Sequence, residues 1–230
     1  MISYIKVIKK SIILITCIIF LSSCQQKKYK IGMQDGKKII WTKIAEDKKS
    51  VLLFADDILN AREYDSRRNV KVEFATSSIN EYLNSDFINT YFSKEEINRL
   101  IFINEYDDLM VTLITLDELR KISSEDIVFV KDDYYDNENY FKSNKSIIAK
   151  ATKDALYNDI EVFDNELHAE IMNQKVVDNR YDFANGYSPY WLLDVNDENM
   201  PLTVTATGYV EGRDADSLYI GIRPIIRIKK

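Results

Sequence analysis

Short apolar runs alternate with charged turns along the first half of the chain. Residues 39–45 and 51–55 are largely apolar and are joined by a charged stretch, a pattern that predicts a β-hairpin. Residues 109–114 form another short apolar run, which predicts a buried strand. Near the end, residues 201–212 and 217–228 alternate apolar and polar side chains, as half-buried antiparallel strands do.

The last of these segments contains Pro224. Proline cannot donate a hydrogen bond to a neighbouring strand, so within sheets it is found at edges, at bulges or at the first position of a strand. We therefore expect residues 217–228 to be a core strand and not a tail, with an edge or a bulge at the proline.

Three short helices are predicted between these strands by capping-box spacing. In a capping box, a serine or threonine and a glutamate three positions later satisfy two free amides at the start of a helix. The pairs are Ser78 with Glu81, Ser93 with Glu96, and Thr115 with Glu118. Residues 147–157 have helical apolar spacing and predict a further helix.

Strands at both ends with short helices between them predict an α+β fold with mostly antiparallel strands. Residues 39–230 contain no internal repeat and no break rich in proline, glycine or serine, which favours a single domain. Residues 24–38 are polar with two glycines and are interpreted as a tether. Residues 131–145 are acidic and aromatic without periodicity and are interpreted as a long exposed loop.

The first 23 residues have the zones of a secretory signal. Residues 1–10 carry three lysines and no acidic residue, and residues 11–21 are almost wholly apolar. As a helix the apolar run would rise only ~16 Å, which is short of the ~30 Å hydrocarbon core of a bilayer. We therefore interpret residues 1–23 as a signal peptide; the alternative is an uncleaved membrane anchor.

The segment Leu21-Ser22-Ser23-Cys24 resembles the lipobox of bacterial lipoproteins. The resemblance implies cleavage before Cys24, a diacylglycerol on its sulfur and a further fatty acid, such as palmitate, on its new amino group. It thereby implies an extracytoplasmic protein of the cell envelope, anchored through membrane lipid, because two or more acyl chains give stable anchoring. The alternative is a chance cysteine behind an ordinary signal peptide.

The balance of charge argues against nucleic acid as a partner. The chain has 31 Lys and Arg against 37 Asp and Glu. The charged residues among residues 1–23 are all lysines, so removal of this segment makes the net charge more negative. Proteins that bind nucleic acid meet its phosphates with clustered Lys and Arg. Cys17 and Cys24 are the two cysteines, so a lipidated mature chain keeps no thiol for a disulfide, a zinc site or a nucleophile.

The chain also resembles a bacterial domain family of unknown function that is common in secreted and surface proteins. The motifs that carry the resemblance occur in order: Trp41; Leu52-Leu53; Ser77 to Asn84, ending in Leu-Asn; Phe92-Ser93 with Glu96; Tyr190 to Leu193; and a terminal G-[VI]-R-P motif at Gly221 to Pro224. Because the family has no assigned activity, the resemblance implies architecture and surface location only.

Two positions depart from the family pattern, Asn80 and Leu193, where the family often has arginine. Any role of those arginines is therefore not carried over. The late tryptophan strand and the terminal motif are also similar to the C-type-lectin-like fold, including its sulfatase-activating relatives. This is the fold that the resemblance implies.

Candidate catalytic groups are few. His168, the only histidine, can act as a base with Glu166 or Glu170, but nothing near it in sequence supplies a nucleophile. A surface histidine is the simpler interpretation. Carboxylate-pair hydrolysis stays open, because the sequence does not show which of its many acids meet. We expect no catalysis, with a carboxylate-dependent extracytoplasmic enzyme as the alternative.

A late acidic segment places oxygen side chains at Asp194, Asn196 and Glu198. Ca²⁺ prefers such ligands, but an EF-hand loop needs glycine at its sixth position and glutamate at its twelfth. This chain has Asn199 and Thr205 there. A solvated acidic turn is the favoured interpretation, so we expect no metal and no cofactor apart from the covalent lipid.

Tyrosine is abundant, with 15 residues, and several tyrosines fall in segments that look exposed. Residues 185–191 bring Tyr187 and Tyr190 close to Trp191. Tyrosine offers a flat apolar body with a polar tip, which suits a wet binding surface. We expect Tyr187 and Tyr190 to contact a sugar ring or a peptide, with Trp191 as a further candidate; for Trp191 itself the favoured interpretation is a core position, because it opens an apolar strand.

These observations together predict an envelope or surface lipoprotein whose domain binds a glycan, a peptide or a protein without catalysis. A structural role in envelope assembly is a further hypothesis, in which the same surface contacts another envelope protein.

The lipobox predicts that Cys24→Ala releases the protein from membranes. Wild type and variant are expressed in a bacterial host, labelled with a fatty-acid precursor and fractionated after detergent extraction. We expect label and membrane retention in the wild type only. Equal retention of both proteins, with no label on the wild type, would show that Cys24 carries no lipid.

Overall fold

The computed structural model describes residues 27–68, 70–103, 109–129, 144–164, 166–167 and 184–230. The strands in these ranges are β1 (Lys28–Gln34), β2 (Lys37–Glu46), β3 (Ser50–Ala55), β4 (Asn60–Ala61), β5 (Val111–Leu113), β6 (Ala149–Lys150), β7 (Tyr187–Ser188), β8 (Tyr190–Val195), β9 (Pro201–Val204), β10 (Val210–Gly212), β11 (Gly221–Ile222) and β12 (Pro224–Lys229). The helices are α1 (Ser78–Tyr82), α2 (Ile88–Tyr91), α3 (Lys94–Ile97), α4 (Leu116–Ile122) and α5 (Lys153–Tyr157). A π-helical turn, Leu83–Phe87, joins α1 to α2, and a 3-10 turn, Phe74–Thr76, precedes α1.

Five strands form an antiparallel sheet, sheet one, in the order β1-β2-β3-β12-β5. All residues of its central strand β3 are buried. Leu53 and Ala55 join a first apolar cluster with the α1–α2 segment, whereas Leu52 and Phe54 join a second cluster with α4. Because both faces are covered, β3 needs no polar alternation, which explains its continuous apolar sequence.

A second sheet, sheet two, has the order β10-β9-β8-β11-β4, and β6 pairs with β7 in a separate ribbon. β8 is the middle strand of sheet two. Its Tyr190 and Leu192 join the second apolar cluster, while Trp191 between them joins the first. Both sheets therefore contribute to both clusters.

The chain passes from sheet two to sheet one between β11 and β12. The prediction that residues 217–228 form a core strand is confirmed in part: Ile222 and Ile225 are fully buried, but Leu218 and Tyr219 are more than half exposed and the segment is divided between β11 and β12. The prediction of an edge or bulge at Pro224 is wrong. Pro224 is the first residue of β12, which lies between β3 and β5, and the first position of a strand tolerates a missing N–H.

Arg223 connects the two sheets at this crossing. Its guanidinium lies 4.0 Å from the ring centroid of Phe54 in sheet one and 5.1 Å from that of Tyr190 in sheet two. Nε donates to the carbonyl of Ala55 at 2.9 Å, and Nη1 donates to the carbonyl of Ile147 at 2.9 Å. A planar guanidinium can stack on aromatic rings while its N–H groups donate within its plane, whereas an ammonium has no planar face to stack.

Gly221 lies where backbone and side chains approach closely. A Cβ at this position would lie 2.3 Å from Cγ2 of Ile58 and 2.9 Å from the carbonyl oxygen of Pro189. Glycine is the residue that permits such an approach. The glycine, arginine and proline of the terminal motif therefore all have structural roles in joining the sheets.

The Leu-Asn pair of the resemblance also has a structural role. Leu83 is fully buried. Asn84 Oδ1 accepts from the amides of Met110 and Val111, and Asn84 Nδ2 donates to the carbonyl of Val111 at 2.9 Å. Its side-chain amide thereby satisfies backbone groups on the outer edge of β5, in place of a further strand.

The segment interpreted as a tether, residues 24–38, is in large part a strand and a turn. β1 pairs with β2 through Asp35 and Gly36, whose φ angles are 48° and 70°. Trp41 Nε1 donates to the carbonyl of Ile31 at 2.9 Å, which holds β1 on the core. The tether prediction is wrong from the start of β1 onward, because Asp-Gly forms a two-residue hairpin turn with positive φ at both positions.

The local predictions for residues 39–122 are confirmed with small shifts, whereas residues 201–212 form two paired strands, β9 and β10, in place of one. β2 and β3 form the predicted hairpin, and the capping boxes predicted at α3 and α4 are present. The N-cap of α1 is Ser77, one residue before the predicted Ser78, whose Oγ instead accepts from the amide of Ser66 at 2.8 Å. The helix predicted over residues 147–157 is confined to α5, because β6 occupies the first part of that segment.

This arrangement confirms an α+β fold with mostly antiparallel strands and short helices. Among the helices of the described ranges, none combines the length and the apolar character that crossing a bilayer requires.

Arg223→Lys should destabilise the domain by about 2–3 kcal/mol, because hydrogen bonds from charged donors contribute ~1.5–3 kcal/mol each and lysine cannot keep all of them. The matched control is Arg213→Lys, since Arg213 Nε donates to Glu211 at the surface. The control should change stability by no more than ~0.5 kcal/mol. Urea unfolding measures both, and equal midpoints for the two variants would contradict the role of Arg223.

Candidate binding cleft

A cleft with a volume of ≈ 300 Å³ opens between the β1–β2 hairpin and the beginning of α5. The residues that line it are Gln34, Asp35, Lys37, Lys38, Ile39, Ile40, Asp57, Leu59, Thr152 and Lys153. The two isoleucines and the leucine supply apolar surface, and the other side chains supply charge and hydrogen-bonding groups. Apolar surface with a few converging polar groups is typical of sites for small ligands.

Gln34 is fixed at the cleft by hydrogen bonds. Its Nε2 donates to the carbonyl of Leu59 at 2.7 Å and to Asp154 Oδ2 at 2.9 Å. Tyr91 Oη donates to the same carboxylate oxygen at 3.1 Å, and desolvation raises the pKa of Tyr91, so its hydroxyl stays protonated. Both amide hydrogens of Gln34 are thereby used, and its Oε1 keeps its accepting capacity for a ligand.

Glu96 attaches the hairpin wall of the cleft to the helices. Its Oε1 accepts from the amide of Gly32 at 3.0 Å and from Lys38 Nζ at 2.8 Å, while Oε2 accepts from the amide of Ser93 at 3.0 Å. Partial burial alone would raise the pKa of Glu96, but the hydrogen bonds from Lys38, Ser93 and Gly32 outweigh it and lower the pKa to about 2. One ionised carboxylate therefore holds β1, β2 and α3 together.

Asp57 lines the cleft beside a group of cations. Desolvation raises the pKa of Asp57 and the charge of Asp56 raises it further, whereas the charges of Arg223, Lys28 and Lys150 oppose the shift. Asp56 is itself paired with Lys28 at 2.7 Å. Asp57 therefore accepts a proton more readily than an ordinary aspartate, and a raised pKa in a cleft is a common property of functional carboxylates.

Tyr187 is half-buried and does not line the cleft. The β6–β7 pairing places Lys150 opposite Tyr187, and Lys150 Nζ lies 5.2 Å from the centroid of the Tyr187 ring. The charge of Lys150 also acts on Asp57, which does line the cleft. Tyr187 is therefore connected to the cleft only indirectly, through Lys150.

Tyr190 and Trp191 are both 0% exposed. Tyr190 Oη donates to the carbonyl of Ile147 at 2.8 Å, and Trp191 Nε1 donates to the carbonyl of Arg62 at 2.9 Å. The Trp191 ring packs edge-on against Tyr64, with centroids 5.5 Å apart. The expectation that Tyr190 is exposed is wrong, because β8 is a middle strand whose side chains enter the core in both directions. Trp191 is a core residue.

Two of the three side chains considered for Ca²⁺, those of Asp194 and Asn196, accept backbone hydrogen bonds at the end of β8 and in the turn after it. Asp194 Oδ2 accepts from the amide of Leu116 at 2.6 Å, at the start of α4. Asn196 Oδ1 accepts from the amides of Glu198 and Met200 at 3.0 and 2.9 Å. In the described ranges, no group of three or more His, Cys, Asp or Glu residues is placed to hold a metal ion.

Several predicted residues lie outside the described ranges. They are Cys24 with the signal peptide, His168, and the loop over residues 131–143 with its tyrosines.

Gln34 and Lys37 fall in the segment that the sequence pattern indicates as a tether, so the pattern does not single them out. The Asp35-Gly36 pair is the feature that identifies them, since Asp-Gly between alternating side chains marks a hairpin turn. Lys153 is missed for a different reason: the start of α5 is decided by the N-cap at Thr152, which apolar spacing does not reveal.

A family model described as Domain of unknown function (DUF6273) matches residues 48–230. The match begins in the turn between β2 and β3, so it includes the α5 side of the cleft, while the β1–β2 hairpin precedes it. No curated protein and no solved structure matches the chain.

Because the pKa of Glu96 is about 2, below its usual 4.5, its carboxylate stabilises the fold above about pH 4.5, and this stabilisation is lost as the pH falls towards 2. Glu96→Gln should therefore unfold at lower temperature than wild type at neutral pH, and the difference should shrink in acid. The control is Glu95→Gln, a change in an exposed neighbour on α3. Thermal unfolding across this pH range measures the effect. A Glu96→Gln difference that stays constant with pH would contradict the assignment.

Proposed function

We propose that this chain, which belongs to the DUF6273 family of domains of unknown function, is a membrane-anchored lipoprotein of the bacterial cell envelope with a non-catalytic binding domain. The lipobox at Cys24, behind a charged and apolar leader, supports the anchor. The partners are membrane lipid through the anchor and, in the domain, an envelope glycan, a peptide or a segment of another protein.

The proposed binding function rests on the cleft. Its donors and acceptors are held by the Gln34–Asp154–Tyr91 hydrogen bonds and by Glu96, so they are in position before a ligand arrives. Preorganised polar groups bind more tightly because less conformational entropy is lost on association. The volume of ≈ 300 Å³ is at the small end of ligand sites, which fits one sugar ring or a short peptide segment.

Filling the cleft should abolish binding without unfolding the domain. Ile40 is a half-buried residue of the cleft, and Ile40→Trp would occupy its space. The full-length lipoprotein, extracted in detergent, is titrated with solubilised cell-wall fragments, envelope oligosaccharides and short peptides, and binding is measured by calorimetry. We expect a loss of affinity of at least about tenfold, which corresponds to ~1.4 kcal/mol.

Ile44→Trp is the matched control, because Ile44 is a half-buried isoleucine of the same strand that does not line the cleft. It should bind as wild type does. If a ligand is found and both variants bind it equally, the cleft is not the binding site. A pull-down from native membranes that recovers one envelope protein with equal yield from wild type and Ile40→Trp would favour the structural role in envelope assembly.

The raised pKa of Asp57 favours a second candidate, a carboxylate-dependent extracytoplasmic enzyme. An aspartate that holds its proton longer can serve as a general acid towards a bound glycosidic oxygen. The variant Asp57→Asn distinguishes the enzyme from the binding domain. Turnover of an envelope glycan by wild type that is lost in this variant would establish the enzyme, whereas unchanged binding without turnover supports the binding domain.

For the architecture we propose the C-type-lectin-like fold. The late strand with Trp191 and the terminal Gly221-Ile222-Arg223-Pro224 motif support it by their similarity to that fold. Superposition of an experimental structure on a C-type-lectin domain tests the proposal. A different order of strands around β8 and β12 would refute it.

A further inference from the structure

We infer that the cleft binds a carboxylate of its ligand, which lies between Lys37 and Lys153. The inference rests on the proposed function and adds the charge of the ligand to it. A peptide with a free carboxyl terminus and an acidic sugar share this chemistry.

Lys37 and Lys153 lie on opposite walls of the cleft. Lys37 follows the β1–β2 turn, and Lys153 is the first residue of α5. Both side chains are exposed, and neither forms an ion pair with any carboxylate in the described ranges. The third lysine of the cleft, Lys38, is paired with Glu96 at 2.8 Å. Two ammonium groups are therefore available to a ligand.

Three carboxylates, those of Asp35, Asp57 and Asp154, lie beside these lysines. The charges of Arg223 and Lys150 act on Asp57, and Asp154 Oδ2 accepts from Gln34 and Tyr91. Asp35, in the β1–β2 turn, opposes the charges of the two lysines. Lys37 and Lys153 are therefore the cations of the cleft that have no ion-pair partner in the described ranges, on a chain whose formal net charge is −6.

Two lysines opposed by these carboxylates suit a singly charged anion better than a phosphate monoester, which carries about −1.5 to −2 at neutral pH. Beside them, the free Oε1 of Gln34 can accept a hydrogen bond from an amide or hydroxyl next to the carboxylate. Both a peptide and an acidic sugar offer this combination.

The test compares charged and neutral forms of the same molecule on the full-length protein in detergent. One arm uses acetyl-Ala-Ala-Ala with a free carboxylate against its carboxamide. The other uses a galacturonic acid trimer against a galactose trimer. In the arm that matches the natural ligand, the carboxylate form should bind at least about tenfold more tightly than the neutral form at low salt, a difference of ~1.4 kcal/mol.

Lysine variants and added salt test whether Lys37 and Lys153 cause the preference for the carboxylate form. Lys37→Ala and Lys153→Ala should each reduce the preference for the carboxylate form, and the double variant should remove it. Lys48→Ala, a change in an exposed lysine of the β2–β3 turn, should leave the preference unchanged. Raising the salt from ~0.01 M to ~1 M shortens the screening length from ~30 Å to ~3 Å and should weaken the preference. Thermal unfolding of each variant checks that the fold is kept.

Three results would overturn the inference. Equal affinity for the charged and neutral forms in both arms would do so while leaving a binding cleft intact. A carboxylate preference that survives in the double lysine variant would place the anion elsewhere. Binding of neutral envelope oligosaccharides alone, blocked by Ile40→Trp, would refute the carboxylate and retain the proposed function. If Ile40→Trp has no effect on any ligand, the proposed function fails as well.

Discussion

The contact on which the rest of the domain depends is that of Arg223 with both sheets. A charged group that leaves water must be compensated, and here carbonyl oxygens of Ala55 and Ile147 and the ring faces of Phe54 and Tyr190 provide the compensation. These partners come from β3, from β8 and from the segment before β6, so one side chain fixes three parts of the chain relative to each other. The same charge acts on Asp57, which links the junction of the sheets to the electrostatics of the cleft.

The residues that carry the family resemblance explain the fold and not the binding function. Trp41 holds β1, Asn84 satisfies the edge of β5, and Gly221 permits the close approach beside Arg223. None of them lines the cleft. The side chains that line the cleft come instead from the β1–β2 hairpin, from the segment between β3 and β4 and from the start of α5.

Much of the fold is predictable because its signals are local. The β2–β3 hairpin and the capping boxes of α3 and α4 follow from neighbouring residues alone. Errors arise where a distant partner decides. Tyr190 looks exposed in sequence but lies in a middle strand covered by elements far along the chain. β1 reads as a polar linker because a bulge at Gly32 interrupts its alternation, and its apolar anchor depends on Trp41 of the next strand. The cleft is hard to predict from sequence because one wall, the β1–β2 hairpin, looks like a linker, and the other wall, at α5, is distant along the chain.

The presence of β1 also changes the geometry of the proposed anchor. A linker over residues 24–38 would reach up to ~45 Å, whereas the four steps from Cys24 to Lys28 extend at most ~14 Å. Lys28 is committed to Asp56 and Thr42 at 2.7 and 2.6 Å, so it belongs to the folded domain. A lipid on Cys24 would therefore hold the domain against the headgroups. The β1–β2 hairpin would be the first element after the proposed anchor and is one wall of the cleft, so an anchored domain would hold the cleft about one hairpin length from the membrane surface.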